Sequence, residues 1–500
     1  MALLQVDHII VQAGGRGTRL EHLTANKPKA LVPVENLPMI FHLFRRFPDK
    51  RYTIIADYKK EVLGEYLHSF ADVSFQMADA IGTGTCSGVA QAVALLPDGE
   101  AVMLIWSDLI LPDNFDLPVE AMDYIGLSQT FPCRWKYFSG VFTEERSIEN
   151  GVAGLFIFRD KSVLANVPES GEIVKWMQEQ NMHFAELGLA GTREFGLLSE
   201  YSALGLEKCR PFNKMTIESD TLIKEPIDQQ GESLALRERE WYRAAISKGV
   251  KNIPEIISYE PLKMEKICGE NVYEYSNIPL DEKAKVLLRI IEALKALHSL
   301  DSIPANVQSL REAYFGKTVE RLARIRRLPP FSDRKTITIN GRQCRNIFFH
   351  EQEFEKKLDQ LQCGGFAFIH GDCTFSNIML RNGVEPIFID PRGYFGHTKL
   401  YGDPNYDWAK LYYSVVGNYD RFNLKDFRLE IGEKEVRLNI GSNKWEELEE
   451  ELFALSGADP QTIKLIHAVI WLSLTTYAWH DYDSICGAYY NGLYYLEETL

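Results

Sequence analysis

The chain has no CxxC pair. Its eight cysteines are scattered from Cys86 to Cys486, so a zinc signature and a dithiol redox motif are both missing, and free thiols in a cytoplasmic protein are expected. No run reaches the ~18 apolar residues that span a bilayer, so membrane insertion is not expected. Asp7 and His8 interrupt the apolar stretch near the N-terminus, which is not a signal-peptide layout. Basic residues are too few for a general nucleic-acid binder. Against 70 Asp and Glu stand 55 Lys and Arg, a net charge of −15. That balance still allows a nucleotide held by a few local cations. Internal repeats, low-complexity tracts and a Gly/Ser linker are also missing. What is present is 500 residues, 45% hydrophobic and 25% charged, enough for two domains that each bury a core.

Residues up to about 110 alternate short β-like runs with helical patterns. "VDHIIVQA", "RYTIIADY", "DVSFQMA" and "AVMLIWSDLIL" read as strands, with helical stretches between them. That order predicts a doubly wound, mostly parallel α/β sheet with ligands at the carboxyl ends of its strands. From about Pro211 the pattern changes to a β-hairpin, a helix and two short strands, followed by a mostly helical region. The boundary is expected between about Glu207 and Pro211, giving domains 1–207 and 208–500. The second would divide into a small β-rich lobe, about 208–270, and a large helical lobe, about 271–500.

The first strand runs into Gly14, Gly15 and Gly17, with Arg16, Arg19, Lys27 and Lys29 close behind. A P-loop would need GK[ST] at its end, and "GGRGTRL" lacks it. A dinucleotide fingerprint would need a third glycine, and Leu20 stands there. What remains is a glycine turn whose amides can hold triphosphate oxygens while Arg19 and Lys29 neutralise charge.

Ala13-Gly14-Gly15-Arg16-Gly17-Thr18-Arg19-Leu20, Thr24 and Pro28-Lys29-Ala30-Leu31-Val32-Pro33-Val34 closely resemble the opening of the sugar-phosphate nucleotidyltransferases, the pyrophosphorylase superfamily. The resemblance extends from about residue 5 to 205. It implies that Ala13, Gly14, Gly15, Gly17 and Thr18 bind the nucleotide. It also implies that Gln76, Gly82 and Thr83, in and before "IGTGTCSGVAQA", meet the nucleobase. Asp108, ending "LIWSDLIL", would bind magnesium. Glu194 in "EFGLLSEYSAL" would be the second metal ligand, with Glu in place of the usual Asp and Leu197 in place of Thr.

In the second domain an apolar strand ends at His370-Gly371-Asp372, Asn377 follows, and a second run ends at Asp390. One carboxylate can take a hydroxyl proton while the other oxygens hold magnesium. These residues resemble the aminoglycoside phosphotransferase and choline kinase family, relatives of protein kinases, over about 208–495. The resemblance makes Asp372 the catalytic base, Asn377 and Asp390 metal ligands, and Lys224 the lysine that holds ATP phosphates. It pairs that lysine with Glu238, or with Glu240 in reserve. Backbone from Met264 to Ile267 would hold the adenine, and Asp407 would brace the catalytic loop. The first loop of this domain, "RPFNKMTIESD", has no glycine, so Asn213 and Lys214 are expected to cover the phosphates.

The C-terminal stretch carries Trp471, Tyr477, Trp479, Tyr482, Tyr489, Tyr490, Tyr494 and Tyr495. At helical spacing, packing is the expected role, with a cage for choline as the alternative. His480, Asp481 and Asp483 could face a substrate hydroxyl or amine. The segment after Asp390, "PRGYFGHTKLYGDP", differs from that of choline kinases.

Together the halves predict a bifunctional enzyme. ATP phosphorylates a small hydroxylated acceptor, with a sugar or polyol favoured. A second nucleotide (CTP, UTP or GTP) then converts the phosphomonoester to NDP-R and pyrophosphate for surface-glycan or capsule synthesis, with magnesium at both sites. The alternatives are an amino-alcohol kinase joined to a cytidylyltransferase, and a nucleotide-binding scaffold with one or both domains inactive. Partners are small molecules rather than nucleic acid, and a homo-oligomer is left open.

Overall fold

Hydrophobic runs too short for helices but buried on both faces build the centre of the first half. The structure, a computed structural model, describes residues 3–198, 201, 213–227 and 229–500. The chain divides into two units, one made of Met1–Gly205 with Trp479–Asp483, the other of the remainder. The boundary expected between Glu207 and Pro211 lies outside the described residues.

The first unit contains β1 (Val6–Gln12), α1 (Met39–Arg46), β2 (Arg51–Ala56), α2 (Lys60–Phe70), β3 (Phe75–Asp79), α3 (Val89–Ala94), β4 (Ala101–Trp106), β5 (Leu109–Ile110), β6 (Tyr124–Ser128), β7 (Gly151–Phe158), β8 (Ala185–Leu189) and β9 (Arg193–Glu194). Strands β3, β2, β1 and β4 run parallel in that order, as the helices between them require. Strand β7 then joins antiparallel between β4 and β6, and β8 lies parallel to β6. The nine-stranded sheet is therefore mixed, mostly parallel. Ile9, Ile10 and Val11 of β1 and Leu104 and Ile105 of β4 are fully buried, so the glycine turn leaves a rigid strand end.

The second unit opens with β10 (Asn213–Glu218), β11 (Thr221–Pro226), α4 (Gln229–Ser247), β12 (Ile256–Tyr259) and β13 (Leu262–Glu265). Its first sheet has the order β10–β11–β13–β12 and carries Lys224. A helical region follows, with α5 (Leu280–His298) and α6 (Lys317–Arg324). The mostly helical expectation here is incomplete. Strands β14 (Thr336–Ile339) and β15 (Arg342–Arg345) join a later hairpin in a four-stranded sheet. Their turn is Asn340-Gly341, both residues at positive φ. Such a pair matches the twist of a hairpin, so the signal was present in the sequence. The segment carrying His370, Asp372, Asn377 and Asp390 follows as β16 (Phe366–Phe368), β17 (Ile378–Arg381) and β18 (Glu385–Phe388), and then α7 (Pro404–Val415), α8 (Pro460–Leu474) and α9 (Tyr482–Leu496). Trp471, Tyr482, Tyr489 and Tyr490 are fully buried, which is the packing role expected of the aromatics. Among the described residues no helix is long and apolar enough to cross a membrane.

Candidate active sites

In the first unit the glycine turn follows β1 directly. Gly17 has φ +64°, and a Cβ there would lie 3.0 Å from the Cβ of Lys29. A side chain is thus excluded by conformation and by the lysine stem. A Cβ at Gly15 would meet nothing within 4 Å, so this backbone borders open space. Arg16, Thr18 and Arg19 beside it are exposed. The Lys29 ammonium donates to the Asp108 carboxylate, and both side chains are largely buried. Asp108 follows β4, the strand neighbouring β1. Strand β9 pairs Glu194 with Leu109, and the Phe195 N–H donates to the Asp108 carbonyl at 3.2 Å. Glu194 and Arg19 both border Gly196: a Cβ built there would sit 2.8 Å from Glu194 Oε1 and 3.6 Å from an Arg19 nitrogen. Turn, cations and both carboxylates therefore meet at the strand ends.

The expected nucleobase contacts are engaged within the protein. Gln76 Nε2 donates to Thr53 Oγ1 at 3.0 Å, inside the sheet and three residues before β3 ends. The Gly82 N–H donates to Ser87 Oγ and the Thr83 N–H to Ser170 Oγ, each at 3.0 Å. The acidic pair near the C-terminus, expected to face a substrate hydroxyl or amine, meets a lysine of the protein. Asp481 and Asp483 take the Lys27 ammonium at 2.9 and 2.5 Å, within the first unit. Burial works to lower the Lys27 pKa, but these carboxylates outweigh it and hold the ammonium above its ordinary range.

In the second unit Lys224, on β11, donates to Glu238 of α4 at 2.7 Å and to Asp390 at 2.5 Å. The reserve partner Glu240 instead takes Lys399 at 3.0 Å. Asn377 Nδ2 donates to the Asp372 carboxylate at 3.0 Å and to its carbonyl at 2.8 Å. The Asn377 carbonyl accepts from the Ile389 N–H at 2.9 Å, which sets Asn377 beside Asp390. Asp390 has φ +55°, a left-handed backbone conformation that its surroundings must hold. Beneath them, buried Asp407 accepts from the His370 and Gly371 N–H groups at 2.9 and 2.7 Å and is 3.0 Å from His298 Nε2. Burial works to raise its pKa, but His298 and these donors keep it low. In the stretch proposed for adenine, Met264 and Ile267 are buried, Glu265 N–H donates to Glu255 and Lys266 N–H to Asp220. Asn213 begins β10, with Lys214 exposed next to it.

One residue of this centre was not anticipated. Lys410 of α7 reaches Asp372 at 2.9 Å. It is the lone cation in "DWAKLYYSV", one turn after Asp407, and a cation in an otherwise apolar buried helix was the available signal.

Asp108 with Glu194, and Asn377 with Asp390, are oxygen donors suited to magnesium. Among the described residues no group of three or more His, Cys, Asp or Glu could hold a metal.

Residues 8–124 match the family model described as nucleotidyl transferase, and residues 228–431 match the phosphotransferase enzyme family. The chain joins a nucleotidyl transferase domain to a phosphotransferase domain. The nucleotidyl transferase domain is 28% identical over 111 residues to the bifunctional protein GlmU of Methanocaldococcus jannaschii, covering 21% of this chain and 26% of that one. It is 34% identical over 77 residues to the glucose-1-phosphate cytidylyltransferase of Salmonella typhimurium, covering 14% and 30%. The chain thus spans under a third of the length of these curated relatives. Among solved structures, it is similar to the CTP:phosphocholine cytidylyltransferase of Streptococcus pneumoniae, at 21% identity and TM-score 0.32, covering 39% of this chain and 96% of that one. The gentamicin complex of APH(2")-IIa matches at 15% identity and TM-score 0.37, covering 56% and 88%.

Proposed function

We propose that the chain is a bifunctional activating enzyme, with domains 1–207 and 208–500 acting in sequence. In the phosphotransferase domain an acceptor hydroxyl oxygen attacks the γ-phosphorus of ATP. The bond from that phosphorus to the β–γ bridging oxygen breaks, ADP leaves, and the hydroxyl proton passes to Asp372. Lys224 neutralises the phosphates, and Asn377 orients Asp372. In the nucleotidyl transferase domain an oxygen of the resulting phosphomonoester attacks the α-phosphorus of CTP, UTP or GTP. The α–β bridge breaks, pyrophosphate leaves, and NDP-R forms. Lys29, Arg19 and the turn amides offset the charge of two anions brought together. Magnesium, held by Asp108 and Glu194 in one domain and by Asn377 and Asp390 in the other, would screen the phosphates in both. Neither step needs a protein nucleophile.

The observation that carries this reading is that each half keeps its charged set assembled: Lys29 on Asp108, and Lys224 on Asp390 with Asn377 on Asp372. One product becomes the other's substrate, an economical reason for one chain to carry both. NDP-R is an activated donor of the kind that surface glycans and capsules consume. The test is a mass-spectrometric screen of ATP with CTP, UTP and GTP against pooled sugars, polyols and amino alcohols. Wild type should give R-phosphate and NDP-R. Asp372→Asn should lose R-phosphate but still convert supplied R-phosphate, and Asp108→Ala should do the reverse. Failure of Asp372→Asn to convert supplied R-phosphate, or failure of Asp108→Ala to form R-phosphate, would overturn the modular reading.

A further inference from the structure

Beyond the base of the phosphotransferase domain lies a concavity with an unusual charge. It is lined by Glu312, Lys317, Arg392, Tyr394, Phe395 and Tyr406 among others, all from the helical lobe. Arg392, two residues after Asp390, donates to the hydroxyls of Tyr406 at 2.6 Å and Tyr394 at 3.0 Å. Arg321, one turn after Lys317 on α6, donates to the Ser473 carbonyl at 2.5 Å. Among the described residues none of Lys317, Arg321 and Arg392 has a carboxylate within ion-pair distance; Arg321 and Arg392 bond only neutral oxygens. The nearby acids are Asp372, already paired with Lys410, and Glu312 at the edge of the concavity. Burial works to lower the Arg392 guanidinium, but Tyr406, Tyr394 and the nearby Asp372 hold it above its ordinary range, whereas Lys317 goes the other way. Burial, then Arg392, Arg321 and Lys410, push the Lys317 ammonium well below its ordinary range. Burial works to raise the Tyr394 phenol, yet Arg392, Arg237 and Arg321 bring it below its usual value.

Half-buried cations with no carboxylate at ion-pair distance are costly, and a protein that groups Lys317 and Arg392 near Asp372, with Arg321 one turn further along α6, is suited to complete them with an anionic ligand. The cation assigned to the ATP phosphates, Lys224, lies on the first sheet of this unit, whereas Lys317 and Arg321 lie on α6 of the helical lobe. We infer that the acceptor carries an oxyanion as well as its hydroxyl, and that Lys317, Arg321 and Arg392 bind that anionic group while Asp372 faces the hydroxyl. This rests on the kinase reading above and names its substrate class: hydroxy acids, sugar acids, or alcohols already bearing one phosphate. It also separates this chain from an amino-alcohol kinase, because a quaternary ammonium would enter a field of its own sign.

The test uses the full chain with ATP and four acceptor panels: hydroxycarboxylates (glycerate, gluconate, glucuronate), hydroxyl-bearing phosphates (glycerol phosphate), neutral polyols and sugars, and choline with ethanolamine. Phosphorylated product is read by mass spectrometry and ADP release by a coupled assay. The expected result is turnover of an anionic panel at least tenfold above the neutral and cationic ones in kcat/KM; which anionic panel responds identifies carboxylate or phosphate. Lys317→Met and Arg321→Met should each raise acceptor KM at least tenfold with ATP KM and melting temperature unchanged, and Lys317→Arg should restore it. Equal or better turnover of neutral or cationic acceptors overturns the inference and leaves the kinase reading standing, as does Lys317→Met with KM within twofold of wild type. No phosphoryl transfer in any panel overturns the kinase reading and the inference with it.

Discussion

Lys224 holds Glu238 at 2.7 Å and Asp390 at 2.5 Å, with the lysine and Glu238 both buried. One ammonium thus ties strand β11 to helix α4 and to the end of β18. Replacing it leaves two acids without their shared cation. Lys224→Met should lower kcat/KM for ATP in the phosphotransferase reaction at least 100-fold, about 2.7 kcal/mol of transition-state stabilisation. Steady-state ADP release measures this, and NDP-R formation from supplied R-phosphate should be unchanged.

Asp407 supports the His370–Asp372 loop from below, through the N–H groups of His370 and Gly371 and through His298. Removing a buried acceptor of this kind leaves those donors unsatisfied. Asp407→Ala should cost about 3–5 kcal/mol and abolish phosphoryl transfer. Urea denaturation with an activity assay checks both. A variant as stable as wild type would show that the brace is dispensable.

The first unit's turn makes a steric prediction. Gly17→Ala forces φ +64° on a residue with a side chain and presses its Cβ against the stem of Lys29. The lysine that contacts Asp108 must move. Nucleotidyl transfer should fall at least tenfold while phosphoryl transfer is unaffected. Pyrophosphate release and ADP release, assayed on one preparation, separate the two.

Buried histidines set a pH dependence. Burial pushes His467 down to about 3, with Lys464 adding to the effect, and burial also lowers His370. Trp471 Nε1 donates to His467 Nε2 at 2.9 Å, which keeps the ring neutral. An unfolded histidine takes a proton below about pH 6.5, whereas the folded ring resists. Stability contributed by the neutral rings is therefore present above pH 6.5 and is lost as pH falls, for His467 down to about 3. For His467 the loss approaches about 1.4 kcal/mol per pH unit well below 6.5. Thermal melts from pH 7.5 to 5 should show a falling Tm, and His467→Gln should flatten that slope.

The motifs that were legible in sequence are local ones. The turn and Lys29 lie within seventeen residues, and Asp372, Asn377 and Asp390 within nineteen, so chain continuity alone brings them near each other. Asp108 and Lys224 were legible because strand ends and sheet order are set by hydrophobic patterning. Partners set by the fold are not legible in this way. Gly82 and Thr83 look like free amides in sequence, yet Ser87 and Ser170 take them. Gln76 sits on a strand where alternation turns it toward Thr53. Lys27 finds its acids more than 450 residues away. The cations of the inferred acceptor cluster come from α6 and from the segment after Asp390, and no single window of sequence shows that their charges add.

The consecutive-step claim is tested most directly by following one phosphorus atom. Full-length protein is given the acceptor identified by the screen, [γ-³²P]ATP, and unlabelled CTP, UTP or GTP. If the phosphotransferase domain makes what the nucleotidyl transferase domain consumes, NDP-R carries the label and the released pyrophosphate does not. NDP-R formed without label, or labelled R-phosphate that never enters NDP-R, contradicts the account.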